Sequence, residues 1–260
     1  MVREVTSDKI VIKIGTSTLM TDEGALDLAY VEKLAAVISG LKAQKKQVVL
    51  VTSGAIGVGL AKLKPRKRPT LIPEKQAIAA VGQCLLMAAY DKCFAVHGFS
   101  VGQVLITKDC LDSVQKYGNA INTFGALLAM DVLPVVNEND TVGVDEIISI
   151  GDNDTLSAHV ATMINADVLI LLSDIDGLYD KNPEDPDAKL ISEVTEINED
   201  IREYAGGAGS TLGTGGMVTK LDAAVIAGRN GTKTILVNGR DPRNVEAAIK
   251  GEQIGTYFNL

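Results

Sequence analysis

The chain is poor in cysteine, in histidine and in positive charge. Its 260 residues include three cysteines and two histidines. Cys84, Cys93 and Cys110 form no C-x-x-C and cannot all pair within one chain, which points to a reduced, cytoplasmic protein rather than a disulfide scaffold. His97 and His159 have no Cys or His at metal-ligand spacing, so no metal site is read from them. Lys+Arg number 25 against Asp+Glu 33, a formal net charge of −8. That balance argues against a nucleic-acid binder, which needs a basic face to track phosphates. No apolar run reaches the roughly 18–20 residues of a bilayer crossing. Charged residues flank the short apolar run 10–14, so no signal peptide is read at the N-terminus and no membrane partner is expected. The common nucleotide fingerprints G-x-x-x-x-G-K-[ST] and G-x-G-x-x-G are also missing, and Ser53 does not lie in a G-x-S-x-G elbow.

What is present is an alternation. Short apolar, β-branched runs at 9–14, 47–51, 100–106, 132–136, 167–172 and 232–237 end in glycine or polar residues. Several are apolar at every position, as strands buried on both faces of a parallel sheet must be. Between them the spacing predicts helices over about 28–41, 73–96, 115–130, 155–164, 216–229 and 242–250, the second with a proline at its start. Strand alternating with helix predicts an α/β chain whose mainly parallel sheet is covered by helices on both sides. The least regular stretches are 62–72 and 183–213, expected as surface excursions or mobile lids. Neither is read as a domain boundary, although the length alone leaves two small domains open.

In such a sheet, ligands gather beyond the carboxyl ends of the strands, so the polar residues there are the candidates. The first strand delivers Lys13 followed by Gly15; the lysine either snorkels to water or meets a phosphate that the glycine lets approach. The second runs into Thr52-Ser53-Gly54-Ala55-Ile56-Gly57-Val58-Gly59, a turn whose three glycines suggest an anion cradle. The fourth ends in Asn137-Glu138-Asn139-Asp140 and the fifth in Ser173-Asp174. Gly151-Asp152-Asn153-Asp154-Thr155 precedes a helical pattern and carries more polar groups than one helix cap needs. Gly213-Thr214-Gly215-Gly216-Met217-Val218-Thr219-Lys220 opens another helix with flexible glycines and a lysine in its first turn. The basic run 62–68 reads as a solvated loop that can also steer anions. An acidic organiser and two lysines in apolar or glycine-rich surroundings suggest a place where phosphate charge is moved.

The segments VIKIGTSTL, VTSGAIGVG, VVNEND, GDNDTLSA, LLSDIDGLYD and LGTGGMVTK, in that order, resemble the amino acid kinase family, and the resemblance covers essentially the whole chain. It implies a three-layer αβα sandwich acting as a single kinase domain over residues 1–260. Many relatives carry a C-terminal PUA domain, and none is expected here. The implied activity is ATP-dependent phosphorylation of the side-chain carboxylate of L-glutamate, with Mg²⁺ carried in on ATP, as the first step of proline biosynthesis. The resemblance assigns Lys13 and Lys220 to the phosphates and the transferring group, with Asp154 holding both lysines. It assigns Ser53, Asn137, Asp140, Asp152 and Asn153 to glutamate. Ser173, Asp174, Thr214, Gly215, Gly216, Met217, Val218, Thr219 and Lys220 would line the nucleotide site, Ser173 replacing the family's usual threonine. It further implies a homo-oligomer (dimer or tetramer), feedback by proline and hand-off to glutamyl phosphate reductase. The rivals are a sibling kinase for N-acetylglutamate or aspartate and a non-catalytic sensor on the same fold; retention of both lysines and Asp154 counts against the sensor.

Overall fold

The structure, a computed structural model, describes residues 3, 5–143, 153–206 and 216–260. The chain divides into two compact units. One comprises Met1–Lys13 with Asp152–Leu260, the other Ile14–Gly151.

In the first unit, β1 (Lys9–Ile14, whose last residue begins the other unit), β5 (Val168–Ser173), β7 (Lys233–Asn238), β8 (Thr256–Phe258) and β6 (Glu193–Val194) are neighbours in that order. β5 and β7 pair in parallel from Val168↔Lys233 to Ser173↔Asn238, and β8 runs antiparallel to β7. Every residue of β5 is buried, as the uninterrupted apolar run required. The start of β1 is fixed by Asp167, whose Oδ2 accepts the backbone N–H groups of Asp8 and Lys9, each at 2.8 Å. That anchor sets the register that brings Lys13 to the strand's carboxyl end. The helices carrying chemistry here are α7 (Asn153–Ile164) and α9 (Met217–Gly228).

The second unit contains β3 (Val101–Ile106), β4 (Leu133–Glu138) and β2 (Gln47–Val51), in that order and all parallel. Helix α2 (Leu28–Ala43) forms where the spacing placed it. Asp27 caps it by accepting from the Tyr30 N–H at 2.9 Å, and Val31, Leu34, Ala35, Ile38 and Leu41 are buried along one stripe. Helix α4 (Ile72–Ala95) carries Pro73 in its first turn and is long and apolar enough, by length and composition, to cross a membrane. That departs from the reading that no stretch qualifies. Its charge-free part, 76–90, is nevertheless shorter than a crossing, and it packs into the unit against another helix.

That other helix, α3 (Ala55–Leu63), contains two of the three glycines of the turn after β2. Gly54 shapes the turn, with φ of 98°, a conformation only glycine adopts readily. Gly57 and Gly59 lie within α3. A Cβ on Gly59 would fall 2.1 Å from the Ile78 carbonyl oxygen, and one on Gly82 of α4 would fall 1.7 Å from that of Ala55. Gly59 and Gly82 therefore serve backbone-to-backbone contact between helices. Two more elements lie in the stretch expected to be irregular: β6 and α8 (Glu199–Gly206).

Candidate active site

Among the described residues, each unit has a buried polar cluster at its strand ends. In the first unit the Asp154 carboxylate occupies the opening turn of α7, where free N–H groups favour an anion. Lys13 Nζ lies 2.6 Å from Asp154 Oδ1, and Lys220 Nζ lies 3.1 Å from Oδ2. The Thr219 hydroxyl, one residue before Lys220 in α9, is placed to donate to Oδ2 at 2.9 Å. The same hydroxyl lies 2.8 Å from the Gly216 carbonyl oxygen, so its single proton serves one acceptor at a time. Asp154 is 1% exposed and both lysines 7%. Burial pushes the Asp154 carboxyl upward, but the adjacent Lys13 and Lys220 ammonium groups outweigh it and hold the carboxyl below the usual aspartate value. A carboxylate held down in this way, with both oxygens engaged, is a poor proton acceptor. Its chemistry is to fix two cations, which leaves a net positive site.

Ser173 ends β5, buried, and its hydroxyl donates to Asp174 Oδ1 at 3.1 Å. Opposite it in register, Asn238 donates from Nδ2 to Asp176 Oδ1 at 2.7 Å. The Gly239 N–H meets the Ser173 carbonyl at 2.6 Å. The β7 end, unremarked in the sequence reading, thus braces the Ser173–Asp176 turn. Gly216 caps the start of α9, followed by Met217 and the 44%-exposed Val218. Asp152, Thr214 and Gly215 lie outside the described residues.

The second unit's cluster is made of amides and hydroxyls. Asn137 is the fifth residue of β4, inside the strand rather than beyond it, in register with Leu105. Its Oδ1 accepts from the Glu138 N–H at 2.9 Å, and its Nδ2 donates to Gln83 Oε1 of α4 at 2.9 Å. Thr52, after β2, donates to the Ser53 carbonyl oxygen at 3.1 Å and lies 2.8 Å from the Tyr90 hydroxyl. Burial pushes the Tyr90 phenol well above its ordinary range, so it remains a neutral donor. Ser53 and Asp140 are buried in the same unit. Of the residues expected to hold glutamate, Ser53, Asn137 and Asp140 therefore fall in this unit, whereas Asn153, 1% exposed, precedes Asp154 in the other. Gln83 and Tyr90 escaped the sequence reading, and Thr52 entered it only as part of the glycine turn. The available signal was an amide at position 83, one of two with Gln76 in the charge-free part of α4.

The model of the amino acid kinase family matches residues 8–238. A glutamate 5-kinase from Clostridium perfringens is 52% identical over 97% of this chain and 95% of its own length. One from Listeria monocytogenes is 51% identical over 97% and 93%. One from Ligilactobacillus salivarius is 51% identical over 96% of each. Among solved structures, carbamate kinase from Giardia lamblia bound to AMP-PNP superposes with a TM-score of 0.69 at 17% identity, covering 96% of this chain and 98% of that one. An isopentenyl phosphate kinase from T. acidophilum gives 0.64 at 18%, covering 96% and 99%. At such identities the likeness concerns the fold, which is the mainly parallel α/β architecture expected from the sequence.

Proposed function

The chain belongs to the amino acid kinase family, and we propose that it transfers the γ-phosphoryl group of ATP to the side-chain carboxylate of L-glutamate. Relatives that carry this activity in their names, at about half identity over nearly the full chain, support the reading. The single structural observation that carries it is the buried Lys13–Asp154–Lys220 arrangement. A glutamate side chain is already ionised at neutral pH, with a reference pKa of about 4.3, so the nucleophile needs no base. The obstacle is repulsion between that anion and the γ-phosphate. Fixed cations lower it most when the developing charge sits in a dry, preorganised setting. Lys13 and Lys220 act on the phosphates, assisted by the Mg²⁺ that arrives with ATP, and Asp154 keeps both ammonium groups in place.

Ser53, Asn137, Asp140, Asp152 and Asn153 bind the amino acid. Ser173 and Asp174, with Thr214, Gly215, Gly216, Met217, Val218, Thr219 and Lys220, line the nucleotide site. The chain works as one kinase domain in the cytoplasm; its free cysteines fit a reducing compartment. It supplies the first step of proline biosynthesis, answers to proline as feedback inhibitor and hands its acyl phosphate to glutamyl phosphate reductase. It forms a homo-oligomer, a dimer or tetramer, as the resemblance to the amino acid kinase family implies.

The test is ATP- and Mg²⁺-dependent formation of γ-glutamyl hydroxamate with hydroxylamine present, run beside aspartate and N-acetylglutamate. Glutamate-dependent product is expected. Product with only a sibling substrate overturns the substrate, and ATP binding without turnover of any of them overturns the catalytic reading.

A further inference from the structure

Gln83 has no assigned task, yet its surroundings define one. The Glu138 N–H occupies Asn137 Oδ1 at 2.9 Å, so the Asn137 amide presents Nδ2, not Oδ1, to Gln83. Gln83 must answer with its carbonyl oxygen, and its own NH₂ group points away from the pair. That Nε2 is buried and has no hydrogen-bond partner among the described residues, although the residue is only 8% exposed. A buried amide with two unused N–H groups is a poor core residue; an apolar side chain of similar size would serve packing better. The residue cannot relax easily. Its neighbour Gly82 lies so close to α3 that a Cβ there would sit 1.7 Å from the Ala55 carbonyl oxygen and 2.6 Å from the Gly59 nitrogen. The backbone carrying Gln83 is thus held against a helix that begins two residues after Ser53.

We infer that Gln83 is a positioning and specificity residue of the amino-acid site. Its carbonyl fixes the Asn137 amide, and its NH₂ is the donor reserved for a carboxylate oxygen of the bound amino acid. This rests on the glutamate reading above. A carboxylate is the ligand chemistry that fits, because it brings acceptors only and can take up both unused N–H groups. An amino acid lacking a carboxylate at that point would leave the amide unpaired, and such mismatches are where discrimination arises.

Two variants test the assignment by steady-state kinetics in the hydroxamate assay. Gln83→Glu keeps an acceptor for Asn137 but turns an oxygen, not an NH₂, toward the substrate carboxylate. Gln83→Met keeps the bulk and removes both functions. The expected result is an increase of about tenfold or more in the glutamate KM for each, with the ATP KM within about twofold of the parent. A purely structural role would reduce the amount of folded enzyme without moving glutamate KM apart from ATP KM. If both variants keep the glutamate KM within about twofold, the assignment is wrong while the glutamate reading stands. If the unmutated protein makes no glutamyl hydroxamate, both fall. Should neither variant fold, the unmutated protein labelled with 15N-glutamine decides: the assigned Gln83 side-chain amide resonances shift on adding L-glutamate, and an unmoved signal overturns the role.

Discussion

Asp154 and Asn137 are each 1% exposed, and each is the hub of a polar cluster in its own unit. Asp154 is held by charge: two ammonium groups and a hydroxyl converge on its oxygens. Asn137 is held by neutral amides, one from its own strand and one from α4. Taking charges out of water is tolerable only when they are paired, and unpairing one side is severe. Neutral amides are individually weaker and strongly directional. The difference matches two tasks, stabilising transferred charge and recognising the shape and polarity of a small molecule. It follows that damage to the first cluster should appear in turnover and stability, and damage to the second in substrate KM.

The strongest attempt to break that division is Lys220→Ala. Loss of one preorganised cation should lower kcat by about 10²–10³-fold, with the glutamate KM changed far less; unchanged turnover would remove the lysine from the chemistry. Asp154→Asn comes next. It preserves shape but leaves two buried ammonium groups without their counter-ion, a loss of about 3–5 kcal/mol. Thermal unfolding should register this as a Tm roughly 10 °C lower. Asn137→Ala sharpens the other side: the glutamate KM should rise about tenfold with the ATP KM nearly unmoved, and a matched rise in both would blur the contrast. The smallest effect is in acid. Asp154 has its carboxyl depressed in the folded state, so below the ordinary aspartate value of about 4 the unfolded chain binds a proton there that the folded chain does not. Stability contributed by this group is present above that pH and lost as pH falls through the folded value. Unfolding followed between pH 5 and 3 should therefore be less steep in Asp154→Asn, by at most about 1.4 kcal/mol per pH unit.

The two clusters were not equally legible in the sequence. Lys13 and Lys220 stood out because charge inside apolar or glycine-rich surroundings is unusual, Asp154 because its segment carries more polar groups than one helix cap needs, and the folded chain brings the three to one point across 66 residues and more. Strands such as Val168–Ser173 were readable because short unbroken apolar runs bounded by polar residues suit a strand buried on both faces. Helix α3 was hidden by its glycines, which read as a turn until a second helix is seen lying on them. The Thr256–Phe258 and Glu193–Val194 strands are too short to carry a period. Gln83 was invisible for a different reason: nothing local says that a polar residue on an apolar helix faces a partner 54 positions away.

The contact of Gly59 and Gly82 with the opposing helix backbones also constrains how this protein can change over generations. Two main chains that touch directly have no side chain between them to shrink, grow or rotate. Drift elsewhere in α3 and α4 therefore cannot easily be absorbed as a small shift in the spacing of Ser53 and Gln83. Exchanges at Gln83 or Asn137 would retune which amino acid is accepted without disturbing that frame, whereas any larger residue at Gly82 would have to force the two helices apart. New preferences are thus accessible by single steps at the amide pair, on a scaffold whose own dimensions are closed to gradual revision.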